Sequence, residues 1–221
     1  MLSQIEILLI GRKERVGTLV LVRHAETLWN KVGKFQGQKD LPLSKDGIIQ
    51  AKSLAAYFES WAIDIIVSSD LKRASNTAEL IAKPHNLMVK PEPRLREFSF
   101  GVWEGLTRQQ VITKYSELYQ RRKTDINTKI PGGETASQML DRVKDWLSDI
   151  SNSDFQCVLA VSHGGTIRAI LAAILNIEIN KCYPFKLDNC GFSIVQWQKQ
   201  TDDIEFQIAA VNCLSKIIPT K

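Results

Sequence analysis

The chain has 221 residues, enough to bury a sizeable core, and no Pro/Gly/Ser-rich linker or composition break divides it, so it reads as one globular domain. Its net charge of +5 is modest, and the basic residues are scattered apart from Arg12-Lys13-Glu14-Arg15 and Arg121-Arg122-Lys123. With no groove-reading motif beside them, a nucleic-acid partner is not expected.

The N-terminal run from Ile5 to Ile10 is short, contains Glu6 and has its basic cluster on the wrong side for a signal peptide. No other apolar run approaches membrane-spanning length, so no membrane partner is expected. Gly11 and Gly17 lack the tight spacing of a dinucleotide fingerprint. Residues 1–17 read as an extension or an added strand ahead of a domain at 18–221.

Leu19-Val20-Leu21-Val22 is too short an apolar run for a helix and suits a strand buried on both faces. It ends on Arg23-His24. In open α/β sheets ligands bind outside the carboxyl ends of the strands, so this ending suggests an anion site. A short helical turn at Thr27 to Asn30 and a loop at 31–43 follow, the loop placed where it can contact substrate. Ser44 is an N-cap for an amphipathic helix at about 45–59, carrying Ile48, Ala51, Leu54, Ala55 and Phe58 at helical spacing.

Asp64 to Val67 is a second buried strand, ending in Ser68-Ser69-Asp70 and a helix whose first turn carries Arg73, near free backbone N–H groups where it would face anions. Pro91 and Pro93 force an extended path into Leu95-Arg96-Glu97. Glu97 sits among Phe98, Phe100 and Trp103, where lost hydration would favour the protonated acid of a proton donor. Residues 107–130 are polar and helical in part, with Tyr115, Tyr119 and Arg121 to Lys123 interleaved, and read as an inserted cap.

Pro131-Gly132-Gly133-Glu134-Thr135 turns into a helix with Met139, Leu140, Val143, Trp146, Leu147 and Ile150 on one face. Val158 to Val161 is a third buried strand, followed by Ser162-His163-Gly164-Gly165-Thr166 and another helix. Phe192 to Trp197 and the alternation of Ile204, Phe206 and Ile208 predict two terminal strands, antiparallel to each other. Cys157, Cys182, Cys190 and Cys213 are too dispersed for a zinc site or a disulfide-stapled fold, which points to free thiols and a cytoplasmic setting.

Three strands ending in Arg-His, Ser-Ser-Asp-x-x-Arg-Ala and Ser-His-Gly-Gly bring their polar residues to one edge. These motifs, with Leu-x-Glu and Gly-Gly-Glu between them in the same order, resemble the histidine phosphatase superfamily, the phosphoglycerate mutase-like fold, from about Thr18 to Asn212. The resemblance implies an α/β, three-layer αβα architecture around a mostly parallel sheet. It also implies a phosphomonoesterase of small phosphorylated metabolites, working through phosphohistidine. His24 would be the nucleophile, Glu97 the general acid, and Arg23, Arg73 and His163 the clamp on the phosphoryl oxygens. Asn30, Gln36, Gly37 and Gly164 match positions near the phosphate, and Glu134 and Trp103 are further candidates. The family's usual glycine after the first histidine is Ala25 here, which tightens backbone space and leaves the polar groups intact.

No metal or other cofactor is expected, because no carboxylate cluster or His-Cys spacing offers ligands and the arginines supply positive charge. The compact stretch between Glu97 and His163 resembles the phosphatase branch. Phosphoglycerate mutase-type transfer and a non-catalytic phosphate-ligand or partner-binding protein are the alternatives, and a homodimer stays open.

Overall fold

The computed structural model describes residues 16–200 and 203–215. The extension expected over residues 1–15 lies outside the described residues, while Val16 and Gly17 belong to the first strand. The chain forms β1 (Val16–Arg23), α1 (Leu28–Lys31), α2 (Lys45–Phe58), β2 (Ile65–Ser68), α3 (Lys72–Ala82) and β3 (Val89–Pro91). It continues through α4 (Arg108–Lys114), α5 (Ser116–Thr124), α6 (Ala136–Ser151), β4 (Cys157–Ser162), α7 (Gly164–Leu175), β5 (Phe192–Gln200) and β6 (Asp203–Cys213).

One six-stranded sheet has the order β3-β2-β4-β1-β5-β6. β1, β2, β3 and β4 run parallel, and β5 pairs antiparallel with both β1 and β6. The sheet is central because β1 and β4 are apolar without alternation. Leu19 to Val22 and Val158 to Val161 are fully buried, as a strand covered on both faces requires.

Successive side chains then take opposite faces. Leu19, Leu21, Val158 and Ala160 pack with Met139, Val143 and Trp146 of α6 and Ile167 and Ile170 of α7. Val20, Val22, Leu159 and Val161 pack with Leu54 and Phe58 of α2 and Ala78 and Ile81 of α3. Each such large apolar side chain contributes roughly 1.5–3 kcal/mol by leaving water. The result is three layers, helix–sheet–helix, with the parallel strands delivering Arg23, Ser68 and Ser162 to one edge.

The sequence pattern gave Pro91 only an extended path; it is the last residue of the short edge strand β3, a place where a missing N–H costs no ladder bond. Ser44 caps α2 as expected, its Oγ accepting from Gly47 N at 3.0 Å. Both terminal strands run longer than their alternating cores suggested. None of the four cysteines is in a disulfide. No helix among the described residues is long and apolar enough to cross a membrane.

Candidate active site

The end of β1 is held from both sides. Arg23 N–H donates to Gly191 O at 3.0 Å and His24 N–H to Ser162 O at 2.9 Å. Ala25 N–H donates to Thr77 Oγ1 at 3.0 Å, and Asn189 Nδ2 donates to the His24 carbonyl at 2.8 Å. His24 is buried at 3% exposure. Its Nδ1 lies 2.7 Å from Ala25 O. A carbonyl can only accept, so the proton sits on Nδ1 and Nε2 keeps its lone pair. Burial, then Arg73 and Arg23, hold the imidazole pKa well below its usual 6.5, which keeps the ring neutral.

His163 precedes α7 at its N-cap position and is wholly buried. Its ring centroid is 5.1 Å from that of His24, with the planes inclined at 59°. Nε2 shares a hydrogen bond with Ser69 Oγ at 2.9 Å, while Nδ1 is buried with no partner among the described residues. Burial and then Arg73 push its pKa down as well.

Arg73 lies in the first turn of α3 and is fully buried. Rather than meeting helix N–H groups, it reaches across to the 31–43 loop, where Nη1 donates to Lys39 O at 2.8 Å and Nη2 to Gly37 O at 2.6 Å. Gly37 has φ +53, and a Cβ there would fall 2.0 Å from Glu104 Oε1, so only glycine presents this carbonyl. Arg23 Nη1 donates to Leu187 O at 2.6 Å. The Nε atoms of both arginines are buried without a partner among the described residues. Burial pulls both guanidinium pKa values down, that of Arg73 to about 10. Buried cations bonded only to carbonyls are costly, and an arriving phosphate would offset that cost with charge-assisted bonds.

Glu97 follows the turn of 3₁₀ helix at Pro93–Leu95. Its Oε1 accepts from Phe98 N at 2.8 Å and its Oε2 from Gly165 N at 3.2 Å. The second glycine of Ser-His-Gly-Gly has a steric reason, since a Cβ on Gly165 would come within 2.3 Å of Glu97 Oε1. Two other carboxylates are committed elsewhere. Glu104 accepts from Gln38 N and Phe100 N, joining two loops. Glu134 accepts from Ser99 N and is ion-paired with Arg142 at 2.9 Å.

A cavity of about 710 Å³ opens on this edge, lined by Arg23, His24, Asn30, Gln36, Gly37, Arg73, Glu97 and Gly164 among others. Of the residues expected at the site, His163 and Glu134 do not line it. Asn30 Oδ1 is occupied by Thr27 N, and Gln36 Oε1 accepts from the Thr27 hydroxyl, so both also brace the turn after His24. Trp103 lines the cavity too. Its Nε1 is buried without a partner among the described residues. From the stretch read as a cap, Tyr119, Arg122, Lys123, Thr124 and Ile126 reach the cavity, and Lys34 and Phe35 come from the 31–43 loop.

Thr77, Asn189 and Arg168 were not singled out from the sequence. Thr77 was within reach: it stands one helical turn after Arg73 in α3, and its hydroxyl donates to Arg73 O at 2.7 Å. Asn189 is 165 positions from His24 and carries no local signal. Among the described residues no group of three or more His, Cys, Asp or Glu side chains could hold a metal ion.

The geometry agrees with three comparisons. The model of the histidine phosphatase superfamily (branch 1) matches residues 19–209. Phosphoserine phosphatase 1 of Hydrogenobacter thermophilus is 37% identical over 188 residues, covering 84% of this chain and 89% of that protein. The protein named Probable phosphoglycerate mutase GpmB of Yersinia pestis is 35% identical over 184 residues, covering 81% of this chain and 84% of its own. Among solved structures, the mycobacterial glucosyl-3-phosphoglycerate phosphatase superposes with a TM-score of 0.81 at 27% identity, covering 90% of this chain and 100% of that one.

Proposed function

The chain belongs to the histidine phosphatase superfamily, and from that membership we propose that it hydrolyses phosphate monoesters of small metabolites by way of a phosphohistidine on His24. The observation that carries this reading is the neutral, Nδ1-protonated His24 lining a cavity where Arg23 and Arg73 have no carboxylate within ion-pair distance among the described residues.

His24 Nε2 attacks phosphorus, the P–O bond to the alcohol breaks, and Glu97 gives the leaving oxygen its proton. Water then attacks the phosphohistidine, Glu97 takes a proton from it, and inorganic phosphate departs from a regenerated neutral His24. Arg23 and Arg73 clamp the equatorial oxygens, where loosely bonded transition states place their charge. His163 supports the clamp from beside His24, and Gly37 and Gly164 leave room for the phosphoryl group. Arginine supplies the positive charge here, and the reading includes no metal or other cofactor.

Hydrolysis is favoured over mutase-type transfer by the covering. Residues 107–130 contribute only two short helices as a cap, and Lys123, Thr124 and Asn180 at the cavity are exposed, so water has access. Disulfide-free cysteines favour a cytoplasmic setting. The modest charge of +5 gives nucleic acid no part in this reading, which a homodimer would leave unchanged. The test is a panel of phosphomonoesters scored for inorganic phosphate and for alcohol. Stoichiometric release of both, with no need for a catalytic bisphosphate, is expected. Isomerised ester forming faster than free phosphate, and only with bisphosphate present, would establish the mutase instead.

A further inference from the structure

Ser69 stands directly after β2 and is wholly buried, its backbone N–H donating to Val161 O of β4 at 3.0 Å. That bond ties the residue to the sheet and fixes where its hydroxyl stands. The oxygen accepts from Leu71 N at 3.3 Å and lies 2.9 Å from His163 Nε2. Ser69 itself does not line the cavity, so anything it does for the reaction passes through His163.

Counting donors and acceptors decides where the neutral His163 ring carries its proton. With the proton on Nε2, that N–H donates to the serine oxygen, and two buried groups are left over: the serine hydroxyl hydrogen has no other acceptor among the described residues, and the Nδ1 lone pair has no donor. With the proton on Nδ1, the hydroxyl donates to Nε2 while its oxygen still accepts from Leu71 N. Only the Nδ1–H is then left over. A buried polar group without a partner is costly, so the second arrangement is favoured. The same proton position does opposite work in the two rings. In His24 a carbonyl acceptor holds Nδ1–H and leaves the Nε2 lone pair free to attack. In His163 a hydroxyl donor fills the Nε2 lone pair and leaves an N–H free to donate.

We propose that Ser69 is a positioning residue: its hydroxyl fixes His163 as the Nδ1–H tautomer, so that the ring offers a phosphoryl oxygen a donor in place of a lone pair. A phosphoryl oxygen without its proton can only accept, and a neutral imidazole without this bond would divide between two tautomers, one of which repels it. The role in turnover rests on the phosphatase reading.

The test is two-bond 1H–15N NMR of the imidazoles in the full chain, with His163 assigned by His163→Asn. In the wild type His163 Nδ1 is expected to show the shift of a protonated nitrogen and Nε2 that of a bare one, and saturation with inorganic phosphate should move the Nδ1–H signal. Ser69→Ala should bring the two nitrogen shifts together and lower kcat by roughly 10-fold, a part of the 10²- to 10³-fold that a donor to a developing anion is typically worth. Ser69→Thr, which keeps the hydroxyl, should return both toward wild type. A wild-type His163 with its proton on Nε2, or an Nδ1–H signal that phosphate leaves in place, would overturn the proposal. So would a loss of kcat in Ser69→Ala with the His163 spectrum unchanged, since that marks a merely structural role. If neither variant folds, the wild-type spectrum with and without phosphate decides. A chain that released phosphate from no ester, yet showed the Nδ1–H tautomer and its response to phosphate, would refute the phosphatase reading and keep this one.

Discussion

The imidazole rings of His24 and His163 stand 5.1 Å apart, and both are held neutral by burial and by Arg73. Their folded pKa values lie below the 6.5 of a free imidazole, so the unfolded chain takes up protons as pH falls through that value while the native state does not. Stability is therefore full above about pH 6.5 and declines below it. Imidazole NMR signals assigned with His24→Asn and His163→Asn should show no midpoint near the 6.5 of a free imidazole. A midpoint near 6.5 for His24 would contradict its assignment as a neutral nucleophile.

Replacing the nucleophile gives a sharper outcome. His24→Asn should lower turnover by ~10⁴-fold or more, because no second attacking group replaces it. Acid-labile, base-stable phosphoenzyme should disappear with it in rapid-quench labelling. A folded variant that still turned over near the wild-type rate would sink the phosphohistidine mechanism.

Glu97→Gln should slow esters with poor leaving groups by roughly 10²- to 10⁴-fold and activated aryl esters much less, since only an alkoxide needs the proton. A plot of rate against leaving-group pKa is the measurement. Glu134→Gln, which loses the Arg142 ion pair, should instead alter thermal stability and leave that slope alone. Equal losses across the series in Glu97→Gln would remove Glu97 from the acid role.

Arg73 is fully buried, and its cation is present below about pH 10 and lost as pH rises through it. Phosphate binding should weaken over that range. Arg73→Met should lower kcat/KM by about 10²-fold or more through the lost transition-state clamp. Inhibition by inorganic phosphate, titrated on wild type and variant, reads the effect without turnover; unchanged phosphate affinity in Arg73→Met would take Arg73 out of the clamp.

Asn189 offers a positional test. Its Nδ2 bond to the His24 carbonyl does not touch the phosphate site, so Asn189→Ala should reduce kcat more than it raises KM. Restoration by Asn189→Asp is not expected, since a carboxylate cannot donate to a carbonyl. A variant with wild-type kcat would show that the bond does no positioning.

The apolar runs at Leu19 to Val22, Ile65 to Val67 and Val158 to Val161 were legible because a strand buried on both faces tolerates no polar interruption. What stands just past such a run must lie at the sheet edge, so Arg23, His24, Ser68, Ser162 and His163 were legible as neighbours from local pattern alone. Glu97 was legible from its aromatic company, although backbone amides of Phe98 and Gly165 are what hold its carboxylate. Tertiary structure decided the rest, since it depends on groups distant in sequence meeting at ångström range. The proton on His24 Nδ1 follows from where the Ala25 carbonyl points. The seating of Arg73 on Gly37 and Lys39, the bond from Asn189 to His24, and the convergence of Arg122 and Arg168 on one cavity join segments that no periodicity links. A sequence states which side chains the chain can offer to an edge. Only the folded backbone states which of their atoms already have partners, and hence which remain for a substrate.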